Sequence, residues 1–158
     1  MIITAIILIK YWITNNKVVG IVNNETNKNH YFMIFGVGSA LFLIAHSIFL
    51  GIKFDYDLYK FFRRFVILAF IIFEIIAQAL LVASIFKIKE KIQEFINKKV
   101  LILKIILVTI LAITALASSP FLVSSGHTHF KHALEWNYFI GVILFYLLSF
   151  LFWKKKQG

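Results

Sequence analysis

Residues 65–86 read FVILAFIIFEIIAQALLVASIF, a run of 22 that is apolar apart from Glu74, Gln78 and Ser84. As a helix it would be about 33 Å long, and a bilayer's hydrocarbon core is about 30 Å thick. The composition says which solvent surrounds it. Of 158 residues, 61% are hydrophobic and 15% charged, and the mean hydropathy is +0.87, well outside the balance of a water-soluble domain. The chain therefore reads as an all-α, polytopic membrane protein. A carboxylate in the middle of such a run needs a reason.

Three further runs of this size carry almost no ionisable side chain, giving predicted transmembrane helices at 31–52, 65–86, 105–123 and 133–153. The intervening stretches 53–64, 87–104 and 124–132 are too polar for lipid, so the expectation is one four-helix bundle with short connections. Residues 1–30 form a separate N-terminal segment. Its apolar start is broken at Lys10 and followed by TNNKVVGIVNNETNKNH. It neither opens on basic residues nor offers a small-residue cleavage site, unlike a signal peptide. The expected arrangement is an interfacial segment anchored by Tyr11 and Trp12, with a short fifth helix as the alternative.

Cytoplasmic flanks collect Lys and Arg. Alternating crossings place Lys10, Lys17, Lys28, the six lysines of 87–104 and Lys154, Lys155 and Lys156 on one side, which is 12 of the 17 basic residues. Both termini are accordingly expected on the cytoplasmic side of a bacterial inner membrane, or the equivalent side of an organelle inner membrane. Basic flanks beside anionic lipid also account for the net charge of +10 without a nucleic-acid partner. The absence of cysteine excludes disulfides and thiolate chemistry. There is no Gly-rich phosphate loop and no Ser/His/Asp spacing, so the sequence names no catalytic residue.

What remains is polar chemistry set against an apolar background. Counting from the helix ends puts Glu74 about 15 Å deep, at the bilayer midplane. Ser39, Thr109 and Tyr146 fall at similar depth on the other three helices, and Gln78 lies one turn from Glu74 on the same face. Hydrocarbon disfavours a charged carboxylate, so Glu74 is expected to hold its proton and to face the interior. Two roles fit these residues: hydrogen-bonded joints between helices, or a proton, cation or ligand site.

His46 forms a shallower layer with Thr114, Asn137 and Tyr138. It reads as a bundle histidine or as an axial ligand to haem b. The stretch SSGHTHFKHALEW gathers His127, His129, His132 and Glu135 at the entrance of the fourth helix, a donor set that suits zinc or copper. The alternative there is a wet helix start, with Trp136 and Tyr138 as interfacial anchors.

Two short stretches resemble known families. ALEWNYFIGVILFYLLSF, residues 133–150, resembles the last helix of the damage-regulated autophagy modulator membrane family through its Glu-Trp pair and aromatic run. That family has six helices where this sequence shows four. HSIFLGIKFDY, residues 46–56, is similar to the haem-ligand helix of succinate dehydrogenase membrane anchors, which implies haem or quinone near His46. In those anchors the Asp-Tyr lies on the cytoplasmic or matrix side, whereas the charge bias here places Asp55 and Tyr56 on the opposite side.

The functional expectation is a non-enzymatic accessory or assembly subunit of a larger membrane complex, contacting the bilayer and other membrane subunits or copies of itself. The alternatives are a proton- or ion-coupled carrier with Glu74 as titrating group, and a haem- or quinone-binding anchor using His46.

Overall fold

Glu74 lies on a helix longer than its apolar run. The computed structural model describes residues 2–23, 31–51, 57–92, 94–123 and 128–153. They form five α-helices: α1 (Ile2–Asn23), α2 (Tyr31–Gly51), α3 (Asp57–Ile88), α4 (Lys98–Val123) and α5 (Thr128–Phe152). Thus α3 begins eight residues before Phe65, taking in Lys60, Arg63 and Arg64, and α4 begins seven before Ile105, taking in Lys99 and Lys104. Hydropathy marks where lipid ends, not where the helix ends. Lys and Arg are good helix formers, so the backbone continues past the apolar boundary.

The N-terminal segment differs most from expectation. It is a helix of 22 residues, long and apolar enough to cross a membrane, as are parts of α2, α3 and α4. Four candidate spans were expected and, among the described residues, four are found, with α1 in the set. Among the described residues the apolar part of α5 is Trp136–Phe152, 17 residues. Lys10 does not stop α1, because a lone lysine keeps the helix and its long stem can carry the ammonium along the surface.

The chain divides into two compact units, Met1–Ser84 and Ile85–Gly158. In the first, Ala5, Leu8 and Trp12 are buried at helical spacing on α1, while Lys10 and Lys17 are exposed. Trp12 packs beside Phe32 of α2, with ring centroids 6.4 Å apart. Gly36 makes room for it: a Cβ there would lie 2.2 Å from the indole. Two polar side chains of α1 turn back on their own helix. Thr14 donates to the Lys10 carbonyl at 2.8 Å and Asn15 to that of Tyr11 at 2.9 Å, which lowers the cost of holding them in apolar surroundings. On α2 and α3, Phe73 sits edge-on between Phe35 (5.2 Å) and Phe42 (5.1 Å), and Phe49 meets Tyr59 and Phe62.

In the second unit α4 packs on α5, with Leu111 filling the space that a side chain at Gly141 would take. Asn97 caps α4. Its side-chain oxygen accepts from the Lys99 amide at 3.1 Å and its carbonyl from the Leu101 amide at 3.1 Å. Its own amide donates to the carbonyl of Phe152 at 2.9 Å, and Ile96 bridges to Trp153. The end of α5 is thereby tied to the start of α4 by main-chain bonds.

Candidate functional site

Glu74, Gln78 and Ser39 come together in the first unit, and all three are fully buried. The apolar span of α3 runs Phe61–Ile88 and that of α2 Tyr31–Phe49, so Glu74 and Ser39 each lie near the middle of their helix. Ser39 Oγ is 2.6 Å from Glu74 Oε2, joining α2 to α3. Gln78, one turn along α3, donates Nε2 to Glu74 Oε1 at 3.0 Å. Both carboxyl oxygens are therefore engaged.

The protons in this cluster can be counted. Ser39 Oγ also lies 2.8 Å from the Gly36 carbonyl, which can only accept. A hydroxyl has one proton to give. With an ionised Glu74, two acceptors would compete for it. With a neutral Glu74 the chain closes: Glu74 Oε2–H donates to Ser39, Ser39 to Gly36, and Gln78 to Oε1. The Gln78 carbonyl oxygen is left over, buried and without a hydrogen-bond partner among the described residues.

The other residues expected at the same depth do not turn inward alike. Thr109 is exposed and donates to the carbonyl of Ile105 on its own helix at 2.8 Å. Tyr146 is half-buried, its ring edge-on to Phe145 at 5.9 Å. Thr114 and Asn137 likewise bond back within their helices, to Ile110 and Ala133. His46 is buried on α2. Tyr138 is buried on α5, its hydroxyl 3.3 Å from Ser118 on α4.

Of the proposed metal set, His129 is exposed at the start of α5. His127 lies outside the described residues, as do the side chains of His132 and Glu135. Among the described residues no three metal-ligating side chains gather.

A second buried polar cluster escaped the sequence reading altogether. Lys104 is 2% exposed, although it reads as the last residue of a basic connection. It sits on α4 against α5. Its ammonium donates to Ser149 Oγ at 2.8 Å and lies over the rings of Phe145 (4.4 Å) and Phe152 (5.1 Å). Ser149 in turn donates to the Phe145 carbonyl at 3.1 Å. The signal that could have found it is periodicity: Val100, Leu101, Lys104, Val108 and Leu111 are buried on one face of α4.

Comparison with protein-family models, characterised proteins and solved structures finds no match for this chain. Its class rests on its own features. Among the described residues it is all-helical, with four helices long and apolar enough to cross a membrane, and each unit encloses a polar cluster.

Proposed function

We propose that the chain is an integral membrane protein without catalytic activity, serving as an accessory or assembly subunit of a larger membrane complex. The carrying observation is the closure of the Glu74 cluster. A carboxyl group that is fully enclosed, with both oxygens bonded to Ser39 and Gln78, is a joint between helices. The outer faces supply the remaining support. Less than half of each candidate span is buried, and large aromatic side chains such as Phe61, Phe65, Trp136 and Phe150 are exposed. Such faces contact lipid or the helices of a partner. Purification of the tagged chain in mild detergent tests the reading: defined membrane subunits should accompany it in fixed stoichiometry, and a chain recovered alone under gentle extraction would refute it.

A second reading, a proton-coupled carrier with Glu74 as titrating group, is favoured by the proton count and by the unused acceptor of Gln78 beside it. Substitution separates the two. Glu74→Gln reproduces the hydrogen bonds of the neutral acid, since its amide can donate to Ser39 and its carbonyl accept from Gln78, but it cannot release a proton. Under the joint reading, thermal stability in detergent should be nearly unchanged in Glu74→Gln. It should fall by about 0.6–2 kcal/mol in Glu74→Leu, the range for interhelical polar contacts in membranes. Proton flux into liposomes that is present in the wild type and lost in Glu74→Gln would select the carrier.

The topology proposed here has α1 crossing the membrane as well as α5. The connection at 24–30, the turns before α4 and the lysines at 154–156 then share the cytoplasmic side, as the basic residues favour, while Met1 moves across. Single cysteines at Thr4 and Gln157 should react with an impermeant maleimide from opposite faces. Reaction of both from one face would return α1 to the membrane surface.

A further inference from the structure

The last turn of α3 and the first turns of α4 enclose a groove of about 300 Å³ within the second unit. Its walls are Phe86, Leu101, Ile102 and Ile105, and its rim carries Lys89, Lys98 and Glu90. We propose that this groove binds one anionic phospholipid, its phosphodiester between Lys89 and Lys98 and the start of an acyl chain against Ile102 and Ile105.

Three observations point to that ligand. The groove lies where two apolar helices end, so its apolar wall continues along lipid-facing α4 while its rim meets water; Ile102 and Ile106 are both about half exposed. Its charge is complementary: two lysines and one glutamate leave a formal +1, which one phosphodiester neutralises. Basic pockets at helix ends on the cytoplasmic side recognise anionic headgroups in this way. Lys89 is also held in place, its ammonium 3.9 Å from the centre of the Phe86 ring, so the rim charge is positioned over the apolar wall. The volume is at the lower end for ligand clefts, about 300–1,000 Å³. It accommodates a headgroup and the first carbons of one chain, the remainder lying in the bilayer.

This inference rests on the membrane reading of α3 and α4 and is independent of the subunit reading, because the groove is formed by one chain. Native mass spectrometry of the full-length protein in mild detergent tests it, with added dioleoyl phosphatidylglycerol, dioleoyl phosphatidylcholine or inorganic phosphate. One phosphatidylglycerol should be retained per chain, with phosphatidylcholine retained several-fold less and phosphate unable to displace the lipid. Lys89→Gln/Lys98→Gln should weaken retention roughly twenty-five-fold, at about fivefold per lysine. Ile102→Trp, which fills the groove and keeps both charges, should also lose the lipid, and it provides the test if the double variant does not fold. Lys87→Gln/Lys91→Gln, flanking the groove, should retain it. Equal retention of the two lipids, displacement by phosphate, or undiminished binding in Ile102→Trp would overturn the proposal.

Discussion

Lys104→Ala should lower the stability of the chain in detergent by about 2–4 kcal/mol, whereas Lys104→Met should leave it unchanged or raise it. The first value follows from truncating a side chain that is 2% exposed in a packed helix interface, which removes contacts and leaves a cavity. The second follows from what surrounds the ammonium. It has one hydroxyl, Ser149, and two ring faces, Phe145 and Phe152, and no carboxylate pairs with it among the described residues. Burying a charge without an opposite charge beside it is costly, so an apolar side chain of similar length removes that cost while keeping most of the packing. Ser149 keeps its bond to the Phe145 carbonyl, so methionine leaves no orphaned donor. Thermal unfolding of both variants decides the matter. A loss in Lys104→Met as large as in Lys104→Ala would mean that the ring and hydroxyl contacts outweigh the cost of burying the charge.

Gly36→Val should be comparably damaging, by about 2–3 kcal/mol, and should act at one interface, α1 on α2. An added Cβ would stand 2.2–2.5 Å from three atoms of the Trp12 indole. A rigid ring that is itself fully buried cannot move aside locally, so the helices must part. The partner substitution supplies the check. Trp12→Ala alone should cost about 3–5 kcal/mol. Combined with Gly36→Val it should cost clearly less than the sum, because the valine then occupies the space of the missing ring. Additive losses in the double variant would show that Gly36 matters for some reason other than Trp12.

The joint between Glu74 and Ser39 was legible because hydrocarbon is an unforgiving solvent. A mid-helix carboxyl has to face a partner, and counting residues from the helix ends finds a hydroxyl at the right depth on α2. The same count named Thr109, and there it misled. Threonine can satisfy itself on the carbonyl four residues back, as it does with Ile105, so depth alone does not turn it inward. Lys104 was hidden for a related reason. Behind Lys98 and Lys99 it looks like the continuation of a wet basic flank, and only the helical repeat of buried positions on α4 reveals that it faces α5. Helix limits were hidden because hydropathy reports the surroundings of a residue and not its backbone. The length of α1 was hidden in the same way: Lys10 interrupts the apolar run without interrupting the helix.

The main-chain bond from Asn97 to Phe152 also sets an order of events during biosynthesis. Asn97 leaves the ribosome 55 residues before Phe152. At about 5–20 residues per second the interval is roughly 3–11 s, during which the start of α4 is made but its last tether does not exist. The turn before α4 is therefore completed only as the final helix arrives. A chain interrupted before Phe152 would lack the carbonyl that accepts from the Asn97 amide and one of the two rings over Lys104, and one interrupted before Phe145 would lack both rings.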